Sequence, residues 1–125
     1  MAQILVIDDE PLFRDYLRRI LQQEGHSVLE AGDGEHGLRT LDEQDVDLVI
    51  VDIVMPKKDG IEVLMELRRR KSGVGVIAIS GRGRPSGSYL NPAKALGAAR
   101  TLMKPFARGD LIAAVHEVLN AVRRR

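Results

Sequence analysis

The chain has no cysteine. That excludes a disulfide framework, a thiolate nucleophile and a sulfur-ligated metal site, and a reducing cytoplasm is the compartment that fits best. Tryptophan is also absent, and two tyrosines and two phenylalanines are too few to build a stacking platform for single-stranded nucleic acid. No apolar run comes near the ~20 residues needed to cross a bilayer. Met1-Ala2-Gln3 leads straight into an apolar segment, without the pattern of a signal peptide. An excess of one charge is missing too: 19 basic and 18 acidic residues leave +1, which indicates no polyanionic partner. What remains is 125 residues, 44% hydrophobic and 30% charged, the length and make-up of one globular domain with its own core.

Four short apolar runs stand out: Ile4-Leu5-Val6-Ile7, Leu48-Val49-Ile50-Val51, Val76-Ile77-Ala78-Ile79 and Leu102-Met103. Unbroken runs of this kind mark parallel strands covered on both faces. Between them the spacing is helical. Pro11 suits a first helical turn, and Leu12, Phe13, Tyr16, Leu17, Ile20 and Leu21 line one face before a stop at Gly25. Ser27 to Ala31 make a second strand, and Asp33-Gly34 turns into a helix with Leu38 and Leu41 inward. Asp59 is placed to cap a third helix whose Ile61, Leu64, Met65 and Leu67 face the core. Residues 81–88 read as a glycine-rich loop, and a fourth helix lies near 89–96. The last helix carries Leu111, Ile112, Val115, Val118, Leu119 and Val122 inward. The basic runs Arg68-Arg69-Arg70-Lys71 and Arg123-Arg124-Arg125 are read as helix ends that complement the dipole. His26, His36 and His116 lack metal-ligand spacing and are read as surface residues.

Five alternations of strand and helix predict an α/β fold: a (βα)5, doubly wound, five-stranded parallel sheet of flavodoxin-like order 2-1-3-4-5. The whole chain, 1–125, is used by this single domain, with no output domain expected. In that order strands 1, 3, 4 and 5 are consecutive neighbours, and their C-terminal ends carry Asp8-Asp9, Asp52, Ser80 and Lys104. Open α/β sheets place their ligand sites along this edge. Three carboxylates held together repel one another unless a cation joins them, and hard oxygen ligands with room for water suit Mg2+. A hydroxyl and an ammonium opposite complete a cradle for a transferring phosphoryl group. With no cysteine, the attacking group would be a carboxylate, and Asp52 is the most central.

Val6-Ile7-Asp8-Asp9-Glu10, Val51-Asp52-Ile53-Val54-Met55-Pro56 with Asp59-Gly60, Ile79-Ser80-Gly81 and Lys104-Pro105-Phe106, taken in this order, resemble a receiver domain of bacterial two-component response regulators. The resemblance covers residues 3 to 122 and is to the single-domain form typified by the chemotaxis receiver protein. It implies that Asp52 is the phosphoacceptor. Asp9 would bind Mg2+ directly and Asp8 through water, with the backbone carbonyl of Val54 as a further ligand. Ser80 would donate its hydroxyl to the phosphoryl group and Lys104 would pair with it. The donor would be a phosphohistidine on a sensor histidine kinase or a histidine phosphotransfer protein, or a small donor such as acetyl phosphate. The implied protein is a cytoplasmic signalling protein, not an enzyme, that relays the phosphoryl group or switches a separate partner. That partner would meet the fourth helix, fifth strand and last helix, including Tyr89, Lys94, Arg100, His116 and Asn120. A monomer is expected, with a dimer through the same face as the other reading, and neither direct nucleic-acid binding nor membrane insertion is expected.

The resemblance departs at the switch, where the family usually has an aromatic residue three positions before the lysine and this chain has Thr101. Threonine cannot fill an aromatic slot, which shifts the expected signal to the loop after Ser80 and the helix beyond it, with Tyr89 the nearby aromatic. Val54 and Arg82 occupy positions that tune phosphoryl lifetime in the family. An apolar side chain at 54 cannot orient an attacking water, so self-dephosphorylation is expected to be slow. A half-life of seconds for the phosphorylated purified protein would contradict this. Taken singly, Asp8-Asp9-Glu10 can be read as a helix cap, Lys104 as a surface ion-pair partner and Ser80 as a turn residue. Two other whole-chain readings are a phosphorylation-independent docking module and a phosphohydrolase of the haloacid dehalogenase type. The latter resembles its family only if a second acid stands two residues after the nucleophile, where this chain has Val54.

Overall fold

A computed structural model describes residues 2–53, 60–70, 72–80 and 97–123. The chain runs β1 (Gln3–Ile7), α1 (Pro11–Gln23), β2 (Ser27–Ala31), α2 (Gly34–Glu43), β3 (Leu48–Asp52), α3 (Gly60–Arg69), β4 (Gly75–Ser80), β5 (Arg100–Met103) and a last helix, here α4 (Arg108–Arg123). All pairings are parallel and the strand order is β2-β1-β3-β4-β5, as expected from the sequence. The loop at 81–88, the helix near 89–96, Val54 and the Asp59 cap lie outside the described residues.

Local signals place the helix ends. Pro11 opens α1 at a position where its missing N–H costs nothing. At the other end Gly25 takes a φ of 89°, a conformation that other residues rarely adopt. The Asp33 side chain caps α2 by accepting from the His36 N–H at 2.8 Å.

Alternation along the strands divides the core in two. Ile4, Val6, Leu48, Ile50, Ile77 and Ile79 meet Leu17, Ile20 and Leu21 of α1 and Leu111, Val115, Val118 and Leu119 of α4. On the other face, Leu5, Ile7, Val49, Val51, Val76 and Ala78 meet Leu38 of α2 and Val63, Leu64 and Leu67 of α3. Every residue of β3 and β4 is buried, which is why these segments read as continuous apolar runs. Burial of the central strands on both faces fixes where the residues at their C-terminal ends stand.

Three inward assignments are corrected. Leu12 is 86% exposed, and Tyr16 and Met65 are also largely exposed. These residues flank the apolar stripes of α1 and α3, whose buried side chains are Leu17, Ile20 and Leu21 on one helix and Val63, Leu64 and Leu67 on the other. His26 is half-buried rather than superficial, its Nδ1 accepting from the Ala2 N–H at 3.2 Å.

Candidate functional site at the carboxyl edge of the sheet

The register of β1 against β3 pairs Ile7 with Val51, so Asp8 and Asp52, each the next residue, stand side by side. Both follow the alternation of Val6 and Ile50 and therefore lie on the α1 and α4 side of the sheet. One strand further, Asp52 pairs with Ile79, which sets Ser80 one step beyond it. The Lys104 N–H donates to the Ser80 carbonyl at 2.9 Å and extends the β4–β5 ladder past Met103. Among the described residues, those buried with a polar or charged side chain are Asp8, Asp52, Ser80 and Lys104.

Lys104 reaches back across the edge into an acidic cluster. Its Nζ lies 3.0 Å from Glu10 Oε1, 3.1 Å from Asp8 Oδ2 and 3.4 Å from Asp52 Oδ2. Carboxylate oxygens of Asp8, Glu10 and Asp52 all fall within 4.8 Å of one another. Asp9, adjacent in sequence, is exposed and stands outside this trio. Asp8 is fixed at both ends: its Oδ1 accepts from the Glu10 N–H at 2.8 Å and its carbonyl accepts from Arg14 Nη1 at 2.7 Å. Arg14 is anchored in turn on Glu30 of β2 at 3.1 Å.

The electrostatics follow from burial and crowding. Burial raises the Asp8 carboxyl above the ordinary carboxylate value, against the opposing pull of the Glu10 N–H and of Lys104. Burial works against the Lys104 ammonium, but the hydrogen bond to Glu10 and the charges of Asp52 and Asp8 outweigh it and hold that pKa above the ordinary lysine value. Lys104 therefore stays charged at neutral pH. One ammonium among three acids leaves negative charge in excess, and a hard divalent cation is the partner that oxygen donors at this spacing suit.

The raised Asp8 pKa carries a stability prediction. Its favourable contribution is full below 3.8, the unfolded value, and is lost as pH rises through the folded pKa, so ionised Asp8 weighs against the fold at neutral pH. Asp8→Asn, which keeps the acceptor for Glu10, is expected to raise the melting temperature at pH 7. The gain should shrink as the pH is lowered towards 4. A melting temperature that falls at pH 7 would contradict the charge argument.

The other sequence-named residues divide clearly. Thr101 is half-buried on β5 opposite Ala78. Arg100 forms an ion pair with Glu117, and His116 Nε2 lies 3.9 Å from Glu24; Asn120 is exposed on α4. Val54, Arg82, Tyr89 and Lys94 lie outside the described residues. Glu10 has the role that sequence reasoning missed: it reads as a helix cap, and it is the N-cap residue of α1, but its side chain makes no cap hydrogen bond and turns to Lys104 instead. Its place directly after Asp8-Asp9 is the available sequence signal.

A cleft of about 560 Å3 opens beside this edge, lined by Glu10, Leu12, Phe13, Tyr16, Lys104 and Pro105. Among the described residues, no helix is long and apolar enough to cross a membrane.

Comparison with known proteins agrees with this geometry. The model of the response regulator receiver domain family matches residues 4–116. The chain is 40% identical over 119 residues to the transcriptional regulatory protein CpxR of Klebsiella pneumoniae, covering 95% of this chain and 50% of that protein. It thus spans about half the length of that relative. Chemotaxis protein CheY of Halobacterium salinarum is 34% identical over 119 residues, covering 95% of this chain and 98% of that one. The crystal structure of response regulator protein TrrA from Thermotoga maritima, in complex with Mg2+–BeF, superposes with a TM-score of 0.83 at 33% identity, covering 94% and 99% of the two chains.

Proposed function

The chain belongs to the response regulator receiver domain family, and from that premise we propose that Asp52 accepts a phosphoryl group from a phosphohistidine. Receiver domains are signalling domains, phosphoryl acceptors of two-component systems. The observation that carries the assignment to Asp52 is the coincidence of burial with chemistry. The buried polar side chains of the described residues are one carboxylate pair, one hydroxyl and one ammonium, all at the same sheet edge. Burying such groups is costly unless they are put to use or fully paired.

In the transfer, an Asp52 carboxylate oxygen attacks phosphorus in line. A P–O bond forms as the P–N bond of the donor breaks, and the electron pair stays on the departing imidazole nitrogen. Lys104, 3.4 Å from Asp52, would pair with a phosphoryl oxygen, and Ser80, one register step away, would donate its hydroxyl to another. Asp8, Asp9 and Asp52, with the Val54 carbonyl, would hold Mg2+, and Glu10 adds a carboxylate at the same place. The excess of acids over cations fits that ion. When bound, it supplies charge neutralisation for the transferring group. The relative from Thermotoga maritima was solved with Mg2+–BeF, a combination consistent with this donor set.

The donor would be a histidine kinase or histidine phosphotransfer protein in the cytoplasm. A downstream partner would meet β5 and α4, where Arg100, His116 and Asn120 are at least partly exposed. The test is incubation of the purified protein with acetyl phosphate and Mg2+, scoring covalent phosphate that hydroxylamine releases. Incorporation that EDTA suppresses is expected. Failure to take up phosphate or to bind beryllofluoride would favour the docking module, and turnover of a phosphate ester would favour a phosphohydrolase.

A further inference from the structure

Three of the four aromatic residues of the chain, Phe13, Tyr16 and Phe106, gather beside Lys104. The Lys104 Nζ lies 3.9 Å from the centroid of the Phe13 ring, well inside the range of a cation–π contact. Phe106 meets Phe13 edge-on, centroids 5.9 Å apart at 82°, and Tyr16 lies tilted at 6.0 Å. Phe13 and Phe106 also pack against the core shared by α1 and α4. The ring under the ammonium is therefore itself held in place.

We propose that Phe13 is a positioning residue for Lys104, its ring face holding the ammonium at the rim of the acidic cluster where an incoming phosphoryl oxygen will be met. This rests on the reading of Asp52 as phosphoacceptor. The physical need comes from the lysine side chain, a flexible four-carbon stem ending in a point charge. Three acids compete for that charge, and the shortest contact is to Glu10, the most exposed of them. Left to ion pairs alone, the ammonium would share its time between the solvent-facing Glu10 and the buried pair. A ring face attracts the cation without offering a negative charge. It biases the position of Lys104 and forms no salt bridge that must break when phosphoryl oxygens arrive. Nearly complete burial of Lys104 strengthens the contact, because water no longer screens it.

The test compares Phe13→Leu, which keeps apolar bulk, with Phe13→Tyr, which keeps the ring; Phe13→Met replaces the leucine variant if that fails to fold. In the protein without Mg2+, the Lys104 methylene protons next to the ammonium should resonate upfield through the ring current. The shift should vanish in Phe13→Leu and persist in Phe13→Tyr. Phosphorylation by acetyl phosphate should slow about fivefold in Phe13→Leu, with Phe13→Tyr at the wild-type rate. An unchanged Lys104 shift in Phe13→Leu would overturn the proposal. So would a lost shift with an unchanged rate, or equal slowing in the tyrosine and leucine variants. A wild-type protein that takes up no phosphate would sink the functional reading instead, and the ring-current shift alone would then decide whether Phe13 positions Lys104.

Discussion

Asp52→Asn is expected to take up no phosphoryl group from acetyl phosphate or from any phosphohistidine donor, with the fold retained. The substitution preserves volume at a buried position and removes the one property the transfer needs, a carboxylate oxygen able to form an acyl phosphate. Asp8 and Glu10 remain at the same sheet edge, with carboxylate oxygens inside 4.8 Å of the Asp52 position. The variant therefore also asks whether any crowded acid will serve. Asp8 is ill suited, because its Oδ1 is engaged with the Glu10 N–H and its Oδ2 with Lys104. Covalent, hydroxylamine-sensitive phosphate measured by mass spectrometry should fall to background. Full incorporation in Asp52→Asn would remove the assignment of the acceptor, and profiling wild type against histidine kinases with this variant as control would identify the donor.

A second large effect is expected at Gly60, where α3 begins. A Cβ there would sit 2.4 Å from the Asp52 carbonyl oxygen and 2.6 Å from the Ile53 Cα. Both are backbone atoms, one in the last residue of β3 and one in the residue just after it, and the Gly60 N–H also donates to the Ile53 carbonyl at 3.0 Å. Overpacking against movable side chains costs about 1–3 kcal/mol. With backbone as the obstacle, Gly60→Ala should reach at least the upper end, about 3 kcal/mol, a large share of the ~5–15 kcal/mol that holds a domain together. Urea denaturation should show the loss as a lower midpoint with little change in slope. Gly109→Ala is the control, since nothing lies within 4 Å of a Cβ there. Its effect should be neutral or a gain of about 0.5 kcal/mol. Comparable midpoints for Gly60→Ala and wild type would show that the α3 start can move away from Asp52 at little cost.

These two positions illustrate how different signals reach the sequence. Asp52 is legible because it interrupts an apolar run, Leu48 to Val51, that has to be buried on both faces. A carboxylate at the end of such a run is conspicuous whatever lies around it. Gly60 is visible only as a glycine near a helix start. The reason it must be glycine is the carbonyl of Asp52, eight positions earlier in the chain but 2.4 Å away in space.

The same contrast holds for the charged groups. Asp8, Ser80 and Lys104 are found by their places at strand ends, since a parallel sheet of order 2-1-3-4-5 aligns those ends by itself. Glu10 and Phe13 escape that logic. They lie at the N-cap and in the first turn of α1, where acids and apolar residues are ordinary, and periodicity assigns Leu12 and Tyr16 to the core just as readily as Phe13. The exposure of Leu12 and the half-burial of Phe13 depend on the angle at which α1 crosses the sheet, which no local pattern encodes.

Taken by itself, the sequence determined the α/β class, the strand order and the convergence of acids, a hydroxyl and an ammonium on one edge, with Asp8, Asp9 and Asp52 read as the acids. Each of these follows from hydrophobic run, helical period and connection length, which act locally or through topology. Only the tertiary structure decided which atoms meet across that edge. It brings Glu10 to Lys104, leaves Asp9 exposed, places the Phe13 ring under the ammonium and sets Gly60 against the Asp52 carbonyl. These are contacts of a few ångströms between segments up to about 100 residues apart in sequence, and they depend on packing distances that residue types alone leave open.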